Sequence, residues 1–229
     1  MGNSLRSLRQ KFNSIEVKQQ SWMMGAMIFF LTGFHQSFAH PTSYPGGKMV
    51  EVKLRPRHTV LSANHTWTRK FATGVSYHRY QFQRVSQKKG YLNLNFLVHR
   101  ENGRSSQANF YLLGAVGGVD DAVNGVQFGY EGGVQVDYET RSFYTLFKAR
   151  FEASETLNAF STIYRIGFAP YLADSGDLHT FAILQLNYEP QVFSTGEVIP
   201  MLRFFYKTVL WEVGASLRGA VFFQFMLYL

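Results

Sequence analysis

From Val126 to Tyr138 the chain reads VQFGYEGGVQVDY, and nothing in it breaks a period of two. Val126, Phe128, Tyr130, Val134, Val136 and Tyr138 fall on one side of an extended strand; Gln127, Glu131, Gln135 and Asp137 fall on the other. Alternation of this kind specifies a strand with one apolar and one polar face. A strand of a soluble sandwich is usually five or six residues long, whereas crossing a bilayer at a tilt takes about 9–11. Length and pattern together therefore favour a membrane strand over a soluble one.

The same pattern recurs. In YLNLNFLVHR, Leu92, Leu94, Phe96 and Val98 oppose Asn93, Asn95 and His99. In SFYTLFKARFE, Phe143, Thr145, Phe147, Ala149 and Phe151 oppose Tyr144, Lys148, Arg150 and Glu152. HTFAILQLNYE and VLWEVGASLR alternate likewise, while TGVSYHRYQF and NAFSTIYRIGFAPYL do so less cleanly. Turn-forming stretches such as SQKKG, RENGRSS, VDDAVNG and ADSGD separate them. No helical period of ten residues survives after the leader, and the even spacing shows no domain boundary. About twelve strands are expected; ten is the alternative, because residues 47–55 and 58–68 have the weakest pattern. In lipid every backbone polar group must be paired, so the sheet has to close. The expected fold is all-β: a transmembrane, antiparallel, up-and-down β-barrel with short turns, favoured over a secreted sandwich.

The inner face of such a barrel is the polar one. Glu131, Asp137, Lys148, Arg150, Glu152, Glu189, Arg203, Lys207, Glu212 and Arg218 are accordingly expected to line the lumen. Both signs occur in adjacent strands. Such a set can line a water-filled pore and bias which ions pass, or cross-link a narrow lumen into a sealed plug. A pore or transport-type barrel is the first expectation and a sealed structural or envelope-interaction barrel the second.

The two ends carry addresses. Arg6, Arg9, Lys11 and Lys18 against Glu16 precede the apolar run Trp22–Phe34, and Ser37-Phe38-Ala39 offers small residues at −3 and −1. This reads as a cleaved export signal over residues 1–39, with an uncleaved inner-membrane anchor as the alternative. The mature chain would then be residues 40–229 and keep +5 of the +8 formal charge, too mild and too scattered for a nucleic-acid binder. At the other end, AVFFQFMLYL alternates Val221, Phe223, Phe225, Leu227 and Leu229 with Phe222, Gln224, Met226 and Tyr228. This resembles the C-terminal signal of bacterial outer-membrane β-barrel proteins, except that Leu229 stands where an aromatic is usual. The start HPTSYPGGK also resembles the mature start of small outer-membrane barrels. The resemblance implies a Gram-negative outer membrane with its lipopolysaccharide, the barrel assembly machinery as a partner, and no particular activity.

Chemistry is sparse. Without cysteine, thiolate metal sites and cysteine nucleophiles are excluded. Ser76 and His78 in VSYHRY share a strand face, as a lipid-modifying hydrolase would need, but no third residue can be named to orient them. If cleavage leaves His40 first, its amine and ring can hold copper, given a second imidazole from His58, His65, His78, His99 or His179. Adjacent glycines at 117–118 and 132–133 suit relief of crowding at kinks or turns rather than phosphate binding.

Overall fold

The computed structural model describes residues 40–82, 85–121, 124–156, 158–174, 176–190 and 196–229. The expected export signal, residues 1–39, lies outside these. Among the described residues twelve strands follow one another: β1 (Lys48–Arg55), β2 (His58–Thr68), β3 (Phe71–Phe82), β4 (Val85–Asn102), β5 (Ser106–Asp121), β6 (Gly125–Thr140), β7 (Phe143–Ser154), β8 (Asn158–Phe168), β9 (His179–Tyr188), β10 (Glu197–Tyr206), β11 (Val209–Ala215) and β12 (Val221–Tyr228). Each pairs antiparallel with its neighbours in sequence, and β12 pairs with β1, so the sheet is a closed up-and-down barrel. The count settles at twelve because both weakly patterned segments, residues 47–55 and 58–68, form strands.

The seam is complete. β1 and β12 match from Met49↔Tyr228 to Leu54↔Phe223, and Lys48 and Leu229 exchange reciprocal N–H···O bonds of 2.9 Å. Phe223, Phe225, Leu227 and Leu229 point outward there. Phe222, Gln224, Met226 and Tyr228 are buried inside. The outer surface is apolar around the barrel: Leu61, Val75, Leu92, Phe96, Leu112, Tyr130, Val136, Phe147, Tyr164, Leu184 and Leu202 are all exposed. An apolar outside around a polar inside, on a sheet with no free edge, is the arrangement a bilayer requires.

Several features depart from the simple pattern. β4, β5 and β6 run to 18, 16 and 16 residues. Gly125–Phe128 of β6 find partners in β5 but not in β7, so this ribbon projects past its neighbour. The face expected for His99 is wrong. The β4–β5 register slips between Leu97 and His99, burying Leu97 while His99 and Val98 both stay exposed. A bulge of one residue reverses the phase of everything after it, which brings Arg100 inward. The lumen is also not uniformly polar. Tyr144, Leu146, Phe181, Ile183, Ile199, Met201 and Phe222 pack together inside, and Met49, Leu210, Met226 and Tyr228 form a second cluster.

The closest backbone approach falls at a glycine. A Cβ on Gly117 would stand 1.9 Å from the Gly90 carbonyl oxygen on β4, whereas one on Gly114 would meet nothing nearer than 3.9 Å. Gly117→Val is expected to prevent barrel closure and Gly114→Ala to leave it intact. Heat-modifiable migration on a gel, which separates the compact barrel from the unfolded chain, checks both.

Candidate functional site

The lumen divides into a filled side and a hollow one. On the filled side Glu212 of β11, with no exposed surface, is held by two arginines. Arg165 Nη1 lies 3.1 Å from both carboxylate oxygens, and Arg203 Nε donates to Oε1 at 2.6 Å. Arg165 Nε also donates to Gln185 Oε1 at 2.5 Å, and the Arg203 guanidinium lies 4.2 Å from the Tyr144 ring centroid. Hydrogen bonds from charged donors into a carboxylate are the strong ones, and here they tie β8, β10 and β11 across the interior.

On the hollow side a cavity of about 230 Å³ runs along the wall from His40 and Pro41 at one end to His58, Tyr80 and Glu189 at the other. Its charges are mostly matched. Lys53 Nζ lies 2.9 Å from Glu51, Arg150 lies 3.5 Å from Glu131, and Lys89 pairs with Glu152, which also accepts from Tyr91 Oη at 2.9 Å. Glu51 accepts in addition from Gln224 Nε2 at 2.9 Å. Lys148 differs: among the described residues its ammonium makes no hydrogen bond or ion pair. It faces the cavity within electrostatic reach of Arg150 and Lys53 and of the carboxylates Glu51 and Glu131. Three cations against two carboxylates leave this stretch of wall one positive charge in excess, which favours an anion.

The ten residues expected in the lumen fall into three groups. Glu131, Lys148, Arg150, Glu152 and Glu189 line the cavity, and Arg203 touches it while Glu212 is locked behind it. Asp137 points inward but lies near the mouth where β6 ends, taking hydrogen bonds from Asn109 (2.6 Å) and Gln135 (3.0 Å). Lys207 and Arg218 are corrections. β10 stops at Tyr206, and Lys207 occupies the next turn with φ 54°, exposed, its ammonium 5.1 Å from the Tyr206 ring. Arg218 sits in the β11–β12 turn, exposed, beside a recess of about 270 Å³ shared with Arg55, Glu189 and Glu197. Alternation cannot be extrapolated past the end of a strand, and both residues were counted beyond one.

His40 is buried inside the mouth where β1 begins at Lys48 and β12 ends at Tyr228. Its Nδ1 lies 3.5 Å from Asp137 Oδ2 and its ring stacks on Tyr111, centroids 6.2 Å apart. Residues 40–47 thus enter the barrel: Ser43 N donates to Thr66 Oγ1 at 3.0 Å and Gly46 N to the Thr66 carbonyl at 2.7 Å. The imidazole meets a carboxylate and a phenol ring here, while His58 and His78 meet each other towards the opposite mouth. His65 packs edge-on against Trp67, and His99 faces outward. Among the described residues no three His, Cys, Asp or Glu side chains gather as a metal site.

Side chains that pattern reading missed complete the cavity. Glu51, Lys53 and Arg55 come from VEVKLR, where alternation was present in the weakest of the strand candidates. Ser76 and His78 do meet, with His78 Nε2 3.1 Å from Ser76 Oγ, and a third residue appears: His58 Nε2 lies 3.3 Å from His78 Nδ1. Asn93 Oδ1 accepts from the Ser76 hydroxyl at 3.1 Å.

No family model matches the chain, and no curated protein matches it. Among solved structures it is similar to KdgM porin in complex with disordered oligogalacturonate, at 9% identity over 80% of this chain and 97% of that one, with a TM-score of 0.49. KdgM porin alone is similar at 10% identity over 80% and 97%, with a TM-score of 0.48. LpxR from Salmonella typhimurium is similar at 9% identity over 79% and 99%, with a TM-score of 0.42.

Proposed function

We propose that this chain is an outer-membrane barrel of a Gram-negative bacterium that admits a small anionic solute into its lumen. The observation that carries the reading is the unpartnered Lys148 on the wall of a cavity that runs along the barrel, where Lys148, Lys53 and Arg150 outnumber Glu51 and Glu131. A charge held out of bulk water without a partner is costly, and an entering carboxylate or phosphate offsets that cost. The export-type leader, the apolar outer surface and the resemblance of the final strand to an assembly signal support the location. The lipid bilayer with its lipopolysaccharide and the barrel assembly machinery are the partners this location brings.

Single-channel conductance of the refolded protein in a planar bilayer tests the proposal. Steps that favour chloride over potassium are the expected result. Silence from a protein shown to be folded and inserted would favour the sealed barrel instead. That second reading rests on the Arg165–Glu212–Arg203 network and its apolar neighbours, with His40 seated in the mouth.

A further inference from the structure

We propose that Ser76, His78 and His58 form a hydrolytic chain on the cavity wall, suited to a small ester that carries an acidic group. β3 supplies Ser76 and His78, two apart and so on the same inner face, and β2 supplies His58 through the register Val60↔His78 and His58↔Tyr80. Both ring nitrogens of His78 are therefore engaged, Nε2 by a hydroxyl at 3.1 Å and Nδ1 by a second imidazole at 3.3 Å. This is the order of parts that activates a serine: a nucleophile, a base within reach of its proton, and a third group that fixes the base. His58 is itself held, stacked on Tyr80 with centroids 3.8 Å apart. The Ser76 hydroxyl rests on Asn93 and reaches His78 by rotation about its C–O bond.

The surroundings decide the kind of substrate. Ser76, His78, His58 and Asn93 line the same cavity as Lys148 and Arg150, and both cations lie within electrostatic reach of His78. Positive charge within electrostatic reach of the reacting centre favours an oxyanion as it forms and also attracts an acidic group on the ester. Ser76 Oγ attacks the ester carbonyl carbon while its proton passes to His78 Nε2. The imidazolium is stabilised by donation from Nδ1–H to His58 Nε2. The carbonyl reforms, the bond to the alcohol oxygen breaks, and that oxygen takes the proton from His78. Water then gives a proton to His78 and attacks the acyl carbon; the bond from that carbon to Ser76 Oγ breaks, Oγ takes the proton back from His78, and the acid leaves. The sum is ester plus water to acid plus alcohol, with no other reactant. Access from one mouth suffices, so the proposal stands whether or not the lumen conducts.

The test uses the whole purified protein in detergent, its folded form verified by heat-modifiable migration, and a small alkyl fluorophosphonate as probe. The expected result is one adduct per chain with loss of fluoride, mapped to Ser76 and absent in Ser76→Ala. His58→Phe, which keeps an aromatic ring against Tyr80, should fold and label at least about 10-fold more slowly, as loss of general-base support predicts. Hydrolysis of mono-4-nitrophenyl succinate should exceed that of Ser76→Ala and follow the same order among variants. No adduct at Ser76 in the folded protein, or a labelling rate indifferent to His78→Gln, would overturn the proposal.

Discussion

Glu212→Gln should cost the barrel about 3–5 kcal/mol, the usual penalty for removing one partner of a buried ion cluster. The substitution keeps the shape of the side chain and removes only its charge, leaving Arg165 and Arg203 inside the wall with no counter-charge. Urea unfolding of the protein in lipid vesicles, set against the parent, measures the loss. A second variant separates charge from packing. Replacing all three members together, Arg165→Met, Arg203→Met and Glu212→Leu, should recover most of the stability, because an apolar cluster of similar volume lets no charge go unpaired. The neighbouring Tyr144, Ile183, Ile199 and Met201 already provide apolar walls for it. If Glu212→Gln unfolds no more easily than the parent, the arginines have found water or another partner and the filled side of the lumen is wetter than described.

Lys148→Glu should turn the ionic preference of the lumen towards cations. The change removes a cavity cation that makes no hydrogen bond or ion pair among the described residues and adds a negative charge within reach of Glu131. At about 10 Å through water a unit charge is worth about 0.4 kcal/mol, so a swing of two units raises the occupancy of a cation about fourfold and lowers that of an anion about fourfold. Reversal potentials measured across a salt gradient report the shift directly. It should be largest at low ionic strength and fade near 1 M, where the screening length falls to about 3 Å. Lys207→Glu, which alters an exposed turn by the same two units, should leave selectivity close to the parent's. A fourfold effect at Lys207 and none at Lys148 would place the selective charges at the mouth instead of in the cavity.

The strands were legible because alternation is a local property. Val126–Tyr138 needed only its own thirteen residues to declare a face, and the structure keeps that face throughout β6. What lay beyond reach depended on neighbours. The bulge after Leu97 is set by pairing with β5, and nothing in YLNLNFLVHR marks it. His58 became the partner of His78 through the β2–β3 register, which the sequence of either strand alone does not contain. The Arg165–Glu212 contact joins residues 47 apart that also belong to non-adjacent strands. The apolar filling of the lumen had a readable cue. FAILQLN and EVIPMLRFF carry large apolar side chains on both faces, so Phe181, Ile183, Ile199 and Met201 had to pack inside. Lys207 and Arg218 were misplaced for the opposite reason: a correct local rule was carried past the strand ends that give it meaning.

The bonds between Lys48 and Leu229 carry a kinetic consequence. Every other strand pair joins chain neighbours and can zip from its own turn, but β1 and β12 meet only after the intervening chain has been drawn into a ring. The entropy of closing a loop that long is about 5 kcal/mol, before any compensation from contacts, and contacts this distant in sequence slow folding. Until β12 docks, the half-built sheet exposes two edges able to pair with another chain. Closure at the seam should therefore set the pace of assembly. A catalyst that shields both edges while the ring is open would accelerate it without altering the final stability.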